Sequence, residues 1–199
     1  MLVRKCALCG REIEVSLPYD NSYVYYGTKQ KWYCTDCFTA MTTPRILKND
    51  WFAKTKAYVT QEVSKDNIDR LFKRQFGLVY VPKYIYIKLQ SIYDGTFKGL
   101  TQPIPPNELL DILERKQAYI DKRISENGIS EDISKINYAL AVAAGSYKSY
   151  KEWLSRCAAE KELAKQTAQK RKDRDIALKG YVPPDEPERE AIIIEDDDY

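Results

Sequence analysis

Cys6 and Cys9 (CALCG) and Cys34 and Cys37 (CTDCF) form two C-x2-C pairs, with 24 residues between Cys9 and Cys34. No other feature constrains the chain as tightly. Two thiolates two residues apart grip one ion from a tight knuckle, and two such knuckles complete a tetrahedral four-sulfur shell. Thiolates are soft ligands, and a closed four-sulfur site suits zinc, a d10 ion with no redox chemistry. The expectation is one structural Zn2+ held by Cys6, Cys9, Cys34 and Cys37. Two other uses of the same residues stay open: an iron–sulfur centre, which also takes four cysteines, and two disulfides, which need an oxidising compartment. The opening residues MLVRKCALC hold no apolar run long enough for a secretion signal, which argues against disulfides and for a reducing, cytoplasmic setting.

A four-sulfur shell leaves no coordination position for water or substrate, so the site reads as structural. The 199 residues include no histidine. That removes the commonest general base and every Ser-His or Cys-His nucleophile pair. Carboxylates lie close together at Asp66/Asp69, Glu108/Asp111 and Glu131/Asp132, but each pair falls in the first turn of an expected helix, where the helix dipole alone favours acids. The isolated Gly95, Gly99 and Gly128 make no phosphate loop. Cys157, in WLSRCAAE, reads as a packed or half-exposed helix residue. The chain is therefore read as non-enzymatic.

Charge is uneven along the chain. Residues 181–199 carry eight acids and one base, a net of −7, which leaves +10 on the preceding 180 residues of a chain whose formal charge is +3. A basic body with an acidic tail suits a polyanionic partner, a self-masking tail, or simple charge balance. No apolar run is long enough to span a membrane.

Residues 1–46 read as a four-cysteine zinc-binding module. Arg11–Leu17 alternates as a strand does, PYDN turns, Ser22–Tyr26 is a second strand rich in aromatic residues, and Lys31–Tyr33 leads into the second pair. After Cys37, FTAMTT reads as a short helix ending before Pro44. Knuckle, hairpin, knuckle, helix is an order that resembles a treble-clef zinc finger. Zinc ribbons use the same ligands with a strand after the second knuckle. The treble-clef resemblance implies a binding module without specifying DNA, RNA, lipid or protein.

Residues 47–179 read as a helical domain of five or six helices. Asp50–Val63 carries Trp51, Phe52, Thr55, Tyr58, Val59 and Val63 on one stripe. Ser64 reads as the N-cap of a second helix to Phe76, stopped by Gly77. Pro82–Tyr93 follows, then Pro106 to about Glu126, closed by Asn127-Gly128. A helix from about Ser130 to Ala144 is interrupted at Gly145, and a last one runs from Tyr147 toward Leu178. Residues 180–199 cannot bury enough apolar surface to order themselves and read as a disordered acidic tail. The fold class is thus mostly α, with a small β-rich zinc finger in front and a disordered tail behind.

Helices Ser64–Phe76 and Pro82–Tyr93, joined by a short Gly-containing turn, have the layout of a helix-turn-helix. Lys73, Arg74, Lys83, Tyr84, Tyr86 and Lys88 are then the candidate nucleic-acid contacts, since lysine and arginine neutralise phosphate and tyrosine stacks on bases. Ile192, Ile193, Ile194, Asp196, Asp197, Asp198 and Tyr199 make the tail a candidate partner-binding peptide, similar in kind to the acidic tails of single-stranded-DNA-binding proteins, although here the aliphatic residues precede the acids. The segments CALCGREIEV, CTDCF, NDWFAKTKAYV and SIYDGTFKGLTQPIPPNELLDI resemble uncharacterised proteins of phages and mobile elements of low-GC bacteria. The resemblance implies a regulatory or accessory role in phage transcription, replication or host takeover. Two functions follow as expectations. One is a zinc-binding protein that grips DNA or RNA through its basic helical body. The other is a zinc-stabilised adaptor or inhibitor that contacts a host or phage protein through its helices and tail.

Overall fold

The computed structural model describes residues 2–42 and 50–179, with side chains through 174. The candidate tail peptide, Ile192 to Tyr199, lies outside the described residues. The N-terminal part is two antiparallel hairpins and a helix. Strand β1 (Leu2–Lys5) pairs with β2 (Glu12–Val15), and β3 (Tyr23–Tyr26) pairs with β4 (Lys31–Cys34), which runs straight into helix α1 (Thr35–Met41). In β2 the alternation is complete: Ile13 and Val15 are buried and Glu12 and Glu14 exposed, as a half-buried strand requires.

Four longer helices follow: α2 (Trp51–Phe76), α3 (Lys83–Tyr93), α4 (Pro106–Glu126) and α5 (Asp132–Lys179). The mostly helical class holds, but two expected breaks are absent. Ser64 does not cap a new helix; it is buried within a continuous 26-residue α2. Capping there would break the backbone ladder where Val59 and Val63 pack on one side and Ile68 on the other, and burial on both sides outweighs a local capping preference. Gly145 likewise lies inside a continuous 48-residue α5. Its neighbours Ala143 and Tyr147 are both buried, and their packing carries the helix through a residue that costs about 1 kcal/mol relative to alanine. The body accordingly has four helices among the described residues rather than five or six. The Ser64–Phe76 half of the expected helix-turn-helix is the end of a much longer helix.

Helix ends follow local chemistry. Asp50 caps α2, its carboxylate accepting from the Ala53 N–H at 3.2 Å. Gly77, in the left-handed conformation, closes the same helix by donating to the Lys73 carbonyl. Pro106 opens α4, where its missing N–H costs nothing.

Two apolar cores are built on α2. One joins Ile13, Val15, Tyr23, Val24, Tyr33 and Phe38 to Val59, with Trp51, Phe52 and Val63 packed around them. The other joins Ile68, Leu71 and Phe72 to residues of α3, α4 and α5, including Ile85, Ile92, Leu109, Ile112, Ile120, Ile136 and Leu140. The helices of this second core are also tied by polar contacts. Glu108 accepts from the Tyr147 hydroxyl at 2.8 Å and from Lys151 at 3.1 Å, and Asp111 accepts from the Tyr150 hydroxyl at 2.8 Å. Burial, reinforced by the Glu108 carboxylate, pushes the Tyr147 phenol up to about 12, so it stays a donor across the physiological range. The chain divides into two compact units at Lys151/Glu152, within α5.

Candidate metal centre

Each cysteine is placed by an ordinary backbone device. Cys6 follows β1, and the chain reverses over Ala7–Cys9. Gly10 donates to the Cys6 carbonyl at 3.0 Å, and Cys6 donates to the Arg11 carbonyl at 2.8 Å. The reversal needs φ of +71° at position 10, which glycine adopts without strain. Ala7 donates to the Trp32 carbonyl at 2.8 Å, pinning this first knuckle to β4. Cys34 ends β4 and stands at the N-cap of α1, with Cys37 in the first turn. A second anchor lies alongside: Thr35 donates through its backbone N–H to Ser22 and through its hydroxyl to Asn21.

The result is one cluster. The four sulfurs lie within 4.8 Å of one another, and the four residues can hold a metal ion. Cys9 Sγ and Cys34 Sγ are 3.8 Å apart. With Zn–S bonds of about 2.3 Å, the edge of a tetrahedral four-sulfur shell is about 3.8 Å, whereas a disulfide needs about 2.05 Å. All five cysteines are free, so the disulfide alternative is not what the fold contains. Cys6 and Cys34 are buried, Cys37 is half-buried and Cys9 is exposed. Cys157 is half-buried on α5.

Two thiols of the site ionise unequally. Burial opposes ionisation of Cys6, but hydrogen bonds from the backbone at Cys9, Cys34 and Leu8 outweigh it and draw the thiol down to about 6. Cys37 moves the other way, up to about 12, because it shares hydrogen bonds with the Cys34 and Cys9 sulfurs and a further thiolate there would face existing charge. Ionisation is thus favoured at Cys6 and opposed at Cys37, an opposition that a positive ion among the sulfurs would relieve.

Behind the cluster, aromatic rings fasten the module to α2. Tyr25 stacks on Tyr58 with centroids 4.0 Å apart, Trp32 tilts against both, and Tyr26 packs on Trp51 at 4.7 Å. The Tyr25 N–H, on the side of β3 away from β4, donates to Oγ1 of the fully buried Thr55 at 3.0 Å. This fastening was legible only in part. The stripe Trp51, Phe52, Thr55, Tyr58, Val59 and Val63 announces a buried helix face, but nothing local says that the cysteine module is what covers it.

The candidate nucleic-acid residues divide. Lys73 pairs with Asp69 at 2.6 Å, and the Tyr86 hydroxyl donates to the same carboxylate. The Lys88 ammonium and Tyr84 hydroxyl both donate to Asn137 Oδ1 of α5, at 2.8 and 3.2 Å, with the ammonium over the Tyr84 ring. Arg74 and Lys83 are exposed. The carboxylate pairs are also occupied. Asp66 and Asp69 sit in mid-helix, each with a basic partner one turn on, Arg70 and Lys73. Glu108 and Asp111 hold α5 against α4, as described above. Two of the candidate nucleic-acid residues, Tyr84 and Tyr86, belong to an exposed apolar stretch that the sequence pattern does not announce. Of eleven large hydrophobic side chains exposed among the described residues, five fall between positions 79 and 87, with Val79 at 90%, Tyr80 at 73% and Ile87 at 65%.

No helix among the described residues is long and apolar enough to cross a membrane. No protein-family model, curated protein or solved structure matches this chain.

Proposed function

We propose that the four cysteines hold one structural Zn2+ and that the chain is a non-catalytic, zinc-stabilised adaptor that binds another protein. The observation that carries the metal assignment is the 3.8 Å sulfur–sulfur edge within a cluster no wider than 4.8 Å. That size fits one tetrahedral ion and is tight for a multi-iron cluster. The second cysteine pair opens a helix rather than a strand, the order of a treble clef rather than a ribbon. Four protein sulfurs fill the shell of a tetrahedral ion, so the ion contributes folding energy and leaves no site for substrate.

What favours a protein partner is the exposed set Val79, Tyr80 and Ile87 in the segment that leads into and along α3. Soluble chains rarely leave several large apolar side chains uncovered in one stretch without using them. Nucleic acid is the second reading, supported by exposed Arg74 and Lys83 close in sequence to Tyr80, a ring on which a base can stack. It is weakened by the internal partners of Lys73, Tyr84, Tyr86 and Lys88.

Elemental analysis of purified protein is expected to give one zinc per chain; iron, or no metal, would refute the assignment. Capture from a lysate of the native host with and without nuclease separates the two partner classes. A protein retained after nuclease, and lost with Val79→Ser/Ile87→Ser, supports the adaptor. Binding abolished by nuclease and by Arg74→Glu/Lys83→Glu supports the nucleic-acid reading instead.

A further inference from the structure

From Glu152 to Arg174 every side chain of α5 is exposed except the half-buried Trp153, Leu154 and Cys157. One face of this stretch departs from its charged surroundings. Glu160, Leu163, Ala164, Thr167, Ala168 and Arg171 line a shallow open groove. Their spacing of 3, 1, 3, 1 and 3 residues is that of one helical stripe. Leu163 is 65% exposed. Thr167 has already spent its hydroxyl on the Leu163 carbonyl of its own helix, at 2.8 Å, which leaves its methyl free to pack. The local polar pairs Lys165–Glu162 and Gln169–Asp173 involve none of the six.

The stripe is self-complementary. About a point midway between Lys165 and Gln166, Glu160 mirrors Arg171, Leu163 mirrors Ala168 and Ala164 mirrors Thr167. An antiparallel second helix on the same two-fold sets Glu160 of each copy against Arg171 of the other. Between those charge pairs, a large side chain meets a small one and two small ones meet, which lets helix axes approach to about 8 Å. The parallel arrangement sets Glu160 on Glu160 and Arg171 on Arg171, repulsive at both ends. A two-fold contact uses the same patch on both partners, and this pattern satisfies it. We infer that the Glu160–Arg171 face of α5 is an antiparallel self-association surface whose occupant is a second copy of this chain.

Sedimentation velocity of the zinc-loaded full-length protein, over about a hundredfold dilution series, tests this. A concentration-dependent monomer–dimer equilibrium is expected. Glu160→Arg places arginine opposite arginine twice in the dimer and should raise the dissociation constant about tenfold. Glu160→Arg/Arg171→Glu restores both pairs and should restore the wild-type value. Circular dichroism of each variant checks that helix content is unchanged, since both positions are exposed. A monomer at every concentration would overturn the inference, whatever else the face binds. So would a dimer indifferent to Glu160→Arg, the result for a parallel pair or a different surface, or a double variant no better than the single.

Discussion

The two cores that meet on α2 are built from different materials. The N-terminal core is aromatic and thin: Tyr23, Trp32, Tyr33 and Phe38 come from two four-residue strands and one short helix. The core beyond Val63 is aliphatic and deep, with Ile68, Ile85, Ile92, Leu109, Ile112, Leu113, Ile120, Ile136 and Leu140 contributed by four helices. The first has about forty residues of its own, below the size at which apolar burial alone offsets chain entropy, and it needs a cross-link. The second is large enough to stand without one. One helix serves both, so the cysteine cluster is fastened to a helix that the second core also holds.

The largest expected effect is on the metal. Structural zinc contributes on the order of 10 kcal/mol of folding free energy to a small module. Cys34→Ser/Cys37→Ser should therefore abolish metal binding and near-ultraviolet signals from Trp32 and Trp51, while most far-ultraviolet helicity survives. Collapse of helicity throughout would show that the two cores fold as one. Phe72→Ala comes next. Phe72 is fully buried in the aliphatic core, and its truncation should cost about 3–5 kcal/mol in a denaturant titration. Zinc should stay bound at temperatures where the variant is still folded. Loss of zinc from the folded variant would break the proposed separation.

Thr55→Val probes the joint itself. It keeps the shape of the side chain but leaves the Tyr25 N–H without its acceptor, at about 1–3 kcal/mol. The loss should appear as weaker zinc retention against a chelator, with little change in the melting of the α3–α5 core. The smallest effect expected is a gain. Gly145 is exposed, its φ is ordinary and open space surrounds the position a Cβ would take. Gly145→Ala should stabilise the helical core by about 0.5–1 kcal/mol and leave zinc binding untouched.

Legibility in the sequence tracked how local the cause was. The cysteine cluster was readable because two C-x2-C pairs carry their chemistry in the spacing. The span of α4 was readable from Pro105-Pro106 before it and Asn127-Gly128 after it. The strand Leu2–Lys5 went unread, because its pairing with Glu12–Val15 is a property of the hairpin and not of the residues LVRK. Ser64 and Gly145 misled because each is a good local boundary signal, one a helix start and the other a break, overruled by burial on both sides. The sharing of α2 between two cores lay beyond local reading altogether, since its evidence is the Tyr25–Tyr58 stack and the bond from Tyr25 to Thr55, contacts between residues some thirty positions apart. The internal partners of Tyr84, Tyr86 and Lys88 were hidden differently, because Asn137 and Asp69 reach those side chains only in the folded chain, whereas the Lys73–Asp69 pair lies four residues apart on one helix and is local.

Hydrogen exchange read by mass spectrometry, with and without a zinc chelator, tests the central claim most directly. Metal removal should deprotect residues 2–42 and the Trp51–Val63 half of α2, while residues 68–76 and helices α3 and α4 keep their protection. Unchanged protection in residues 2–42, or its loss across all the helices together, would contradict a metal-held core fastened to a self-sufficient one.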